Sequence, residues 1–129
     1  MTARTPTAAY PMTIFHKPNC STSRNVLGLI RESGVEPEIV LYLETPPTKK
    51  KLRELAKAMG MGMGARDLLR TKEAPYEELK LADPKWTEDQ LFDFIVANPI
   101  LLQRPIVVSP RGTLMCRPWA RVREILPTA

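Results

Sequence analysis

On either side of Lys17-Pro18-Asn19 the hydrophobic period of the chain changes, and this change restricts the fold more than any other feature. Before it, Met12-Thr13-Ile14-Phe15-His16 is a short apolar run bounded by Pro11, which reads as a strand entering a loop. From Ser21 onward Val26, Leu27 and Ile30 fall at helical spacing, Leu29 broadens the face, and Ser33-Gly34 supplies the stop. Glu38-Ile39-Val40-Leu41-Tyr42-Leu43 is again rich in β-formers and ends before Pro46-Pro47. Strand, helix and strand over about thirty residues have the dimensions of a βαβ unit.

The middle of the chain reads as helical, over about residues 48–99. Leu52, Leu55, Ala56 and Met59 recur at helical spacing, Gly60 to Gly64 reads as a turn, and a short helix runs through Leu68-Leu69-Arg70. Thr87 and Gln90 form a capping box, with Trp86 placed to pack on Leu91 as a staple. The helix they start carries Leu91, Phe92, Ile95 and Val96 toward the core and ends near Asn98-Pro99. Pro105 to Ser109, the Arg111-Gly112 turn and Thr113 to Cys116 read as a β-hairpin. Pro118 then opens a last helix with Trp119, Val122, Ile125 and Leu126 on one side. The order βαβ, helices, ββα predicts an α/β fold. No linker divides it, so residues 1–129 are read as a single domain, with residues 1–11 as a loose N-terminal tail.

Composition bounds the function without choosing it. The chain of 129 residues is 43% hydrophobic and 26% charged, ordinary for a soluble domain. A net charge of +5 permits an acidic partner, either a nucleic acid or a small oxyanion. The basic residues are scattered and the densest run, Lys49-Lys50-Lys51, reads as a solvated helix face, so no nucleic-acid partner is expected. No stretch approaches the roughly 20 apolar residues of a membrane span, and the first eleven residues lack the pattern of a secretory signal. The expectation is a cytoplasmic protein with no membrane partner, whose two cysteines, Cys20 and Cys116, stay reduced.

Cys20 lies in Pro18-Asn19-Cys20-Ser21-Thr22-Ser23-Arg24, between a strand end and a helix start. The first turn of a helix offers unpaired N–H groups and the positive end of the macrodipole, which stabilise a thiolate and attract anions. Arg24 adds charge one turn on, and Ser21, Thr22 and Ser23 can donate to the sulfur or to a bound anion. A nucleophile and an oxyanion pocket can thus share one loop. Serine at position 23 excludes a CxxC dithiol, so Cys20 must be recycled by Cys116 or by an outside thiol. His16 is the only histidine and stands four residues before Cys20. It either orients the loop or assists the thiolate, or is a structural polar residue at the strand end. One histidine and two distant thiols make no metal-ligand pattern, so no metal is expected.

Taken together, the stretch Ile14 to Arg24, Tyr42-Leu43-Glu44-Thr45-Pro46-Pro47, Leu68-Leu69-Arg70, Pro75-Tyr76-Glu77-Glu78-Leu79, Arg104-Pro105-Ile106-Val107-Val108 and Cys116-Arg117-Pro118 resembles the glutaredoxin-dependent arsenate reductase family, from about Met12 to Pro127. The resemblance implies a thioredoxin-like mixed sheet, βαβ and ββα, with the helices inserted between the halves. It implies Cys20 as nucleophile, Arg70, Arg104 and Arg117 as the arginines around the arsenic oxyanion, and His16 as the histidine of the nucleophile loop. It further implies a cis peptide before Pro105, and Cys116 as a spectator. The guanidinium fork suits an oxyanion, and phosphate or sulfate share the shape and charge that would occupy such a pocket. The implied reaction reduces arsenate to arsenite with glutathione as co-substrate and glutaredoxin as partner, and with no bound cofactor.

The Gly60-to-Gly64 segment is slightly longer than the family pattern ahead of Arg70, which loosens that arginine's assignment. Two other readings start from the same fold: a glutathione-linked thiol oxidoreductase that does not act on arsenate, and a non-enzymatic, RNA-polymerase-binding redox regulator. The first would retain Cys20 and tolerate loss of at least one of the three arginines. The second usually carries a CxxC switch, which Ser23 removes.

Overall fold

In the computed structural model, which describes residues 5–60 and 63–127, the elements run β1 (Thr13–His16), α1 (Ser21–Glu32), β2 (Glu38–Leu41), α2 (Lys49–Met59), α3 (Ala65–Leu68), α4 (Ala74–Glu78), α5 (Glu88–Ala97), a 3-10 turn (Pro99–Leu101), β3 (Ile106–Ser109), β4 (Gly112–Met115) and a closing 3-10 helix (Trp119–Ile125). The chain divides into two compact units, one formed by residues 1–42 with 104–129 and the other by residues 43–103.

The first unit holds the sheet, in the order β2-β1-β3-β4. β1 pairs parallel to β2, with Ile14 opposite Ile39, and antiparallel to β3, with Ile14 opposite Val107. β3 and β4 close as a hairpin from Ser109 opposite Gly112, where a φ of +146° suits a residue without Cβ. This βαβ plus ββ arrangement is the thioredoxin-like mixed sheet. Alternation along β1 sends Ile14 to the face covered by α1, where it joins Met12, Val26, Leu27, Ile30, Val107, Val122 and Ile125 in one core cluster. Ile30 is fully buried, and its truncation to alanine is expected to cost about 2–5 kcal/mol. The helix stops as its sequence predicts, with Ser33 as C-cap and Gly34 at φ +92°.

The stretch expected as a loose tail is hydrogen-bonded from Thr7 onward. Thr7 exchanges bonds with Glu36, its N–H donating to the Glu36 carbonyl at 2.8 Å and its Oγ1 accepting from the Glu36 N–H at 2.7 Å. The Tyr10 hydroxyl donates to the Ile125 carbonyl at 2.8 Å. The closing segment, expected as a helix with Trp119, Val122, Ile125 and Leu126 on one side, is a 3-10 helix over Trp119–Ile125. Positions 119, 122 and 125 fall on one side of a three-residue period, burying Val122 and Ile125, but Trp119 stays 38% exposed and carries Arg123 over its ring.

In the second unit α2, α3 and α5 pack together through Leu52, Leu55, Ala56, Leu68, Leu91, Phe92 and Ile95, all buried. Thr48 caps α2, its hydroxyl accepting from the Lys51 N–H. The Thr87–Gln90 capping box opens α5 in both directions, at 3.2 and 2.9 Å. Trp86 meets Phe94 edge-on at 4.8 Å. Val96, expected in the core, is exposed because the last turn of α5 carries it past the packed stripe. The helix expected through Leu68-Leu69-Arg70 stops at Leu68, because Leu69 turns extended and bridges antiparallel to Leu102. Of the expected glycine turn, Gly60 caps α2 at φ +130°, while Met61 and Gly62 lie outside the described residues.

Candidate active site

Cys20 is the N-cap of α1, with extended backbone (φ −100°, ψ 121°). The Pro18-Asn19 turn sets it there: the Cys20 N–H donates back to the Lys17 carbonyl at 3.0 Å, and its own carbonyl accepts the first helical bond from Arg24 at 2.9 Å. The residue is partly exposed, so its sulfur can meet a solute. Burial on its inner side pushes the thiol up. The Ser23 N–H, a hydrogen bond and the positive charge from the Arg104 guanidinium, and the Thr22 N–H outweigh it and hold the thiol below its ordinary value. This is the setting of a helix-start thiolate, with a cation beside the backbone donors.

Arg104 precedes β3 through a cis Arg104–Pro105 peptide, and only 5% of it is exposed. Arg117 precedes a second cis proline and lies exposed, its guanidinium donating to the Arg104 carbonyl at 3.1 Å. Nothing in the sequence beyond the Xaa-Pro pair marked that second cis bond. Arg24, exposed, donates to the Pro18 carbonyl at 3.1 Å and so braces the loop.

The three hydroxyls divide. Ser21 is exposed and Thr22 half-buried, on the open side of the loop. Ser23 is fully buried, and its hydroxyl is engaged at the end of β1. Its Oγ lies 2.6 Å from His16 Nδ1 and accepts from the Lys17 N–H at 3.2 Å. That pairing engages the Ser23 side chain at the strand end, and the Ser23 group that reaches the Cys20 sulfur is its backbone N–H. His16 is likewise buried, on the same sheet face as Ile14. Burial, then the charges of Arg31 and Arg24, hold it below its ordinary value. His16 Nδ1 and the Ser23 hydroxyl thus partner one another in a buried hydrogen bond. A signal for the pair was present in the sequence: three residues back from Val26 on the helix period falls Ser23, and two residues on from Ile14 in the strand falls His16.

Within the first unit, then, Cys20, Ser21, Thr22, Ser23, Arg24, His16, Arg104 and Arg117 belong to one connected set of loops and element ends. Arg70 belongs to the second unit. Its backbone N–H donates to Leu101, while its guanidinium pairs with Glu73 at 3.1 Å and reaches Gln103 Oε1 at 3.5 Å. Cys116 is fully buried in the first core, and burial is the main cause that pushes its thiol up to about 12. Among the described residues no cluster of three or more metal-ligating side chains occurs, and no helix is long and apolar enough to cross a membrane.

The chain matches the family model described as the ArsC family over residues 15–125. It is similar to an arsenate reductase of Escherichia coli strain K12, with 55% identity over 118 residues that cover 92% of this chain and 82% of the relative. An arsenate reductase of Acidiphilium multivorum is 52% identical over 118 residues, with the same two coverages of 92% and 82%. The solved structure of an arsenate reductase from Vibrio cholerae superposes with a TM-score of 0.85 at 38% identity, covering 90% of this chain and 98% of that one.

Proposed function

Because this chain belongs to the ArsC family, we propose that it reduces arsenate to arsenite, with Cys20 as nucleophile and with glutathione and glutaredoxin supplying the electrons. The observation that carries the reading is the Cys20 thiol at the start of α1, with backbone N–H groups and the Arg104 guanidinium on its sulfur.

Arsenate docks at the open helix start, where N–H groups and guanidinium neutralise its charge and orient it for attack. The Cys20 thiolate forms an S–As(V) bond and water leaves. The glutathione thiol displaces a second water and joins the arsenic. A glutaredoxin thiolate then attacks the glutathione sulfur, forming the mixed disulfide. The electron pair of the broken S–As bond stays on arsenic, which becomes As(III). Water releases arsenite and restores the Cys20 thiol.

Arg104 contacts the nucleophile, Arg117 shapes the Arg104 backbone, and Arg70 is assigned as the third oxyanion-facing arginine. Cys116, buried and with a raised thiol, is a spectator, so the recycling thiol comes from outside. The chemistry needs reduced glutathione and no bound cofactor, which agrees with a reducing cytoplasm. Speciation of arsenic after incubation with arsenate, glutathione and glutaredoxin tests the scheme. Arsenite should accumulate only with all three present. Arsenate left unreduced in the complete mixture would contradict it.

A further inference from the structure

Ser23 lies on the face of α1 that it shares with Val26, Leu27 and Ile30, and like them it is buried. A serine there gains nothing from burial unless its hydroxyl is partnered. Both partners sit at the end of β1: the His16 ring at 2.6 Å and the Lys17 N–H at 3.2 Å. The Lys17 peptide is gripped from its other side too, because its carbonyl accepts from the Cys20 N–H at 3.0 Å. The side chain of Ser23 thus faces the strand end while its backbone N–H faces the nucleophile.

We propose that Ser23 is a positioning residue for Cys20: its hydroxyl ties the end of β1 to the first turn of α1 and so aims the N–H groups of that turn at the sulfur. The inference rests on the reading of Cys20 as the nucleophile. Without the hydroxyl, the buried His16 ring nitrogen and the partly buried Lys17 N–H both lose this partner, and the turn is no longer fixed to the strand. The charged group at the sulfur is Arg104, from the segment before β3, while the charges that act on the His16 ring are those of Arg31 and Arg24 in α1. Replacing Ser23 leaves these charges in place, so the titration of Cys20 reads the tie.

The test is the rate of Cys20 alkylation by iodoacetamide as a function of pH, followed by mass spectrometry on the full chain, with a thermal melt as the check on folding. Ser23→Ala should move the midpoint up by about half a pH unit or more, and Ser23→Thr should bring it back toward the wild-type value. Coincident profiles for wild type and Ser23→Ala would overturn the inference, as would a Ser23→Thr profile that stays with the alanine variant. A wild-type midpoint at the ordinary thiol value would instead sink the reading of Cys20 as an activated nucleophile. Should Ser23→Ala not fold, His16→Ala cuts the same tie from the strand side. An upward shift there supports the proposal, and an unmoved midpoint refutes it.

Discussion

The guanidinium of Arg117 donates to the backbone carbonyl of Arg104 at 3.1 Å, so one arginine holds the main chain from which the other reaches the Cys20 sulfur. The two are therefore unequal. Arg104→Ala removes the cation at the nucleophile and should lower kcat/KM for arsenate about a hundredfold, while raising the Cys20 alkylation midpoint. Arg117→Ala removes the charge-assisted hydrogen bond to the Arg104 carbonyl, and about tenfold is expected. Steady-state kinetics of the two variants check the order. Equal losses, or a larger loss in Arg117→Ala, would contradict it.

Arg70 makes an independent prediction. Its guanidinium is partly buried, pairing with Glu73 at 3.1 Å where the two side chains are only 16% and 25% exposed. Arg70→Ala should therefore cost about 1 kcal/mol of stability while cutting kcat/KM by roughly ten- to a hundredfold. An active variant with unaltered kinetics would remove Arg70 from the site and favour a thiol oxidoreductase that does not handle arsenate.

Cys116 should be dispensable. It is fully buried, its thiol is raised to about 12, and its Sγ is directed at the Leu114 carbonyl at 3.8 Å. Cys116→Ala should retain at least about half of wild-type turnover, at a stability cost of about 1 kcal/mol for the small void. Abolished turnover in a folded Cys116→Ala protein would show that an internal thiol takes part in recycling.

His16 gives stability a pH slope. Its value is lowered in the folded state from 6.5, first by burial and then by Arg31 and Arg24. The unfolded chain then binds the extra proton as pH falls through about 6.5, so stability is highest above that value, decreases below it, and levels off once the folded value is passed. Urea unfolding at about pH 7.5 and about pH 6 should show this fall in the wild type and a smaller one in His16→Gln. Equal slopes would contradict the assignment.

Much of the fold was legible because local and global signals agree. The period change across Lys17-Pro18-Asn19 located β1 and α1, and the Thr87–Gln90 box located the start of α5. Misreadings arose where tertiary pairing overrode local pattern. Leu69 carries no mark that separates a helical continuation from its bridge to Leu102. Trp119 reads as core by type and spacing, yet a seven-residue 3-10 helix buries only Val122 and Ile125 of that row. At the site, the position of Cys20 at a helix start followed from the loop, while the inward turn of Ser23 was signalled only by its place on the α1 period with Val26. Three consecutive hydroxyls look alike until the burial of the α1 stripe separates the third from the first two. Arg70, Arg104 and Arg117 were visible only through the family pattern, since an isolated arginine carries no signature of what it faces.

The account stands most directly on Cys20. In an assay coupling NADPH oxidation to arsenate through glutathione reductase, glutathione and glutaredoxin, the wild-type chain should consume NADPH only when arsenate is present. Cys20→Ser should fall to the no-enzyme rate while keeping the wild-type fold by circular dichroism. Arsenate-dependent NADPH oxidation that persists in a folded Cys20→Ser protein would contradict the account.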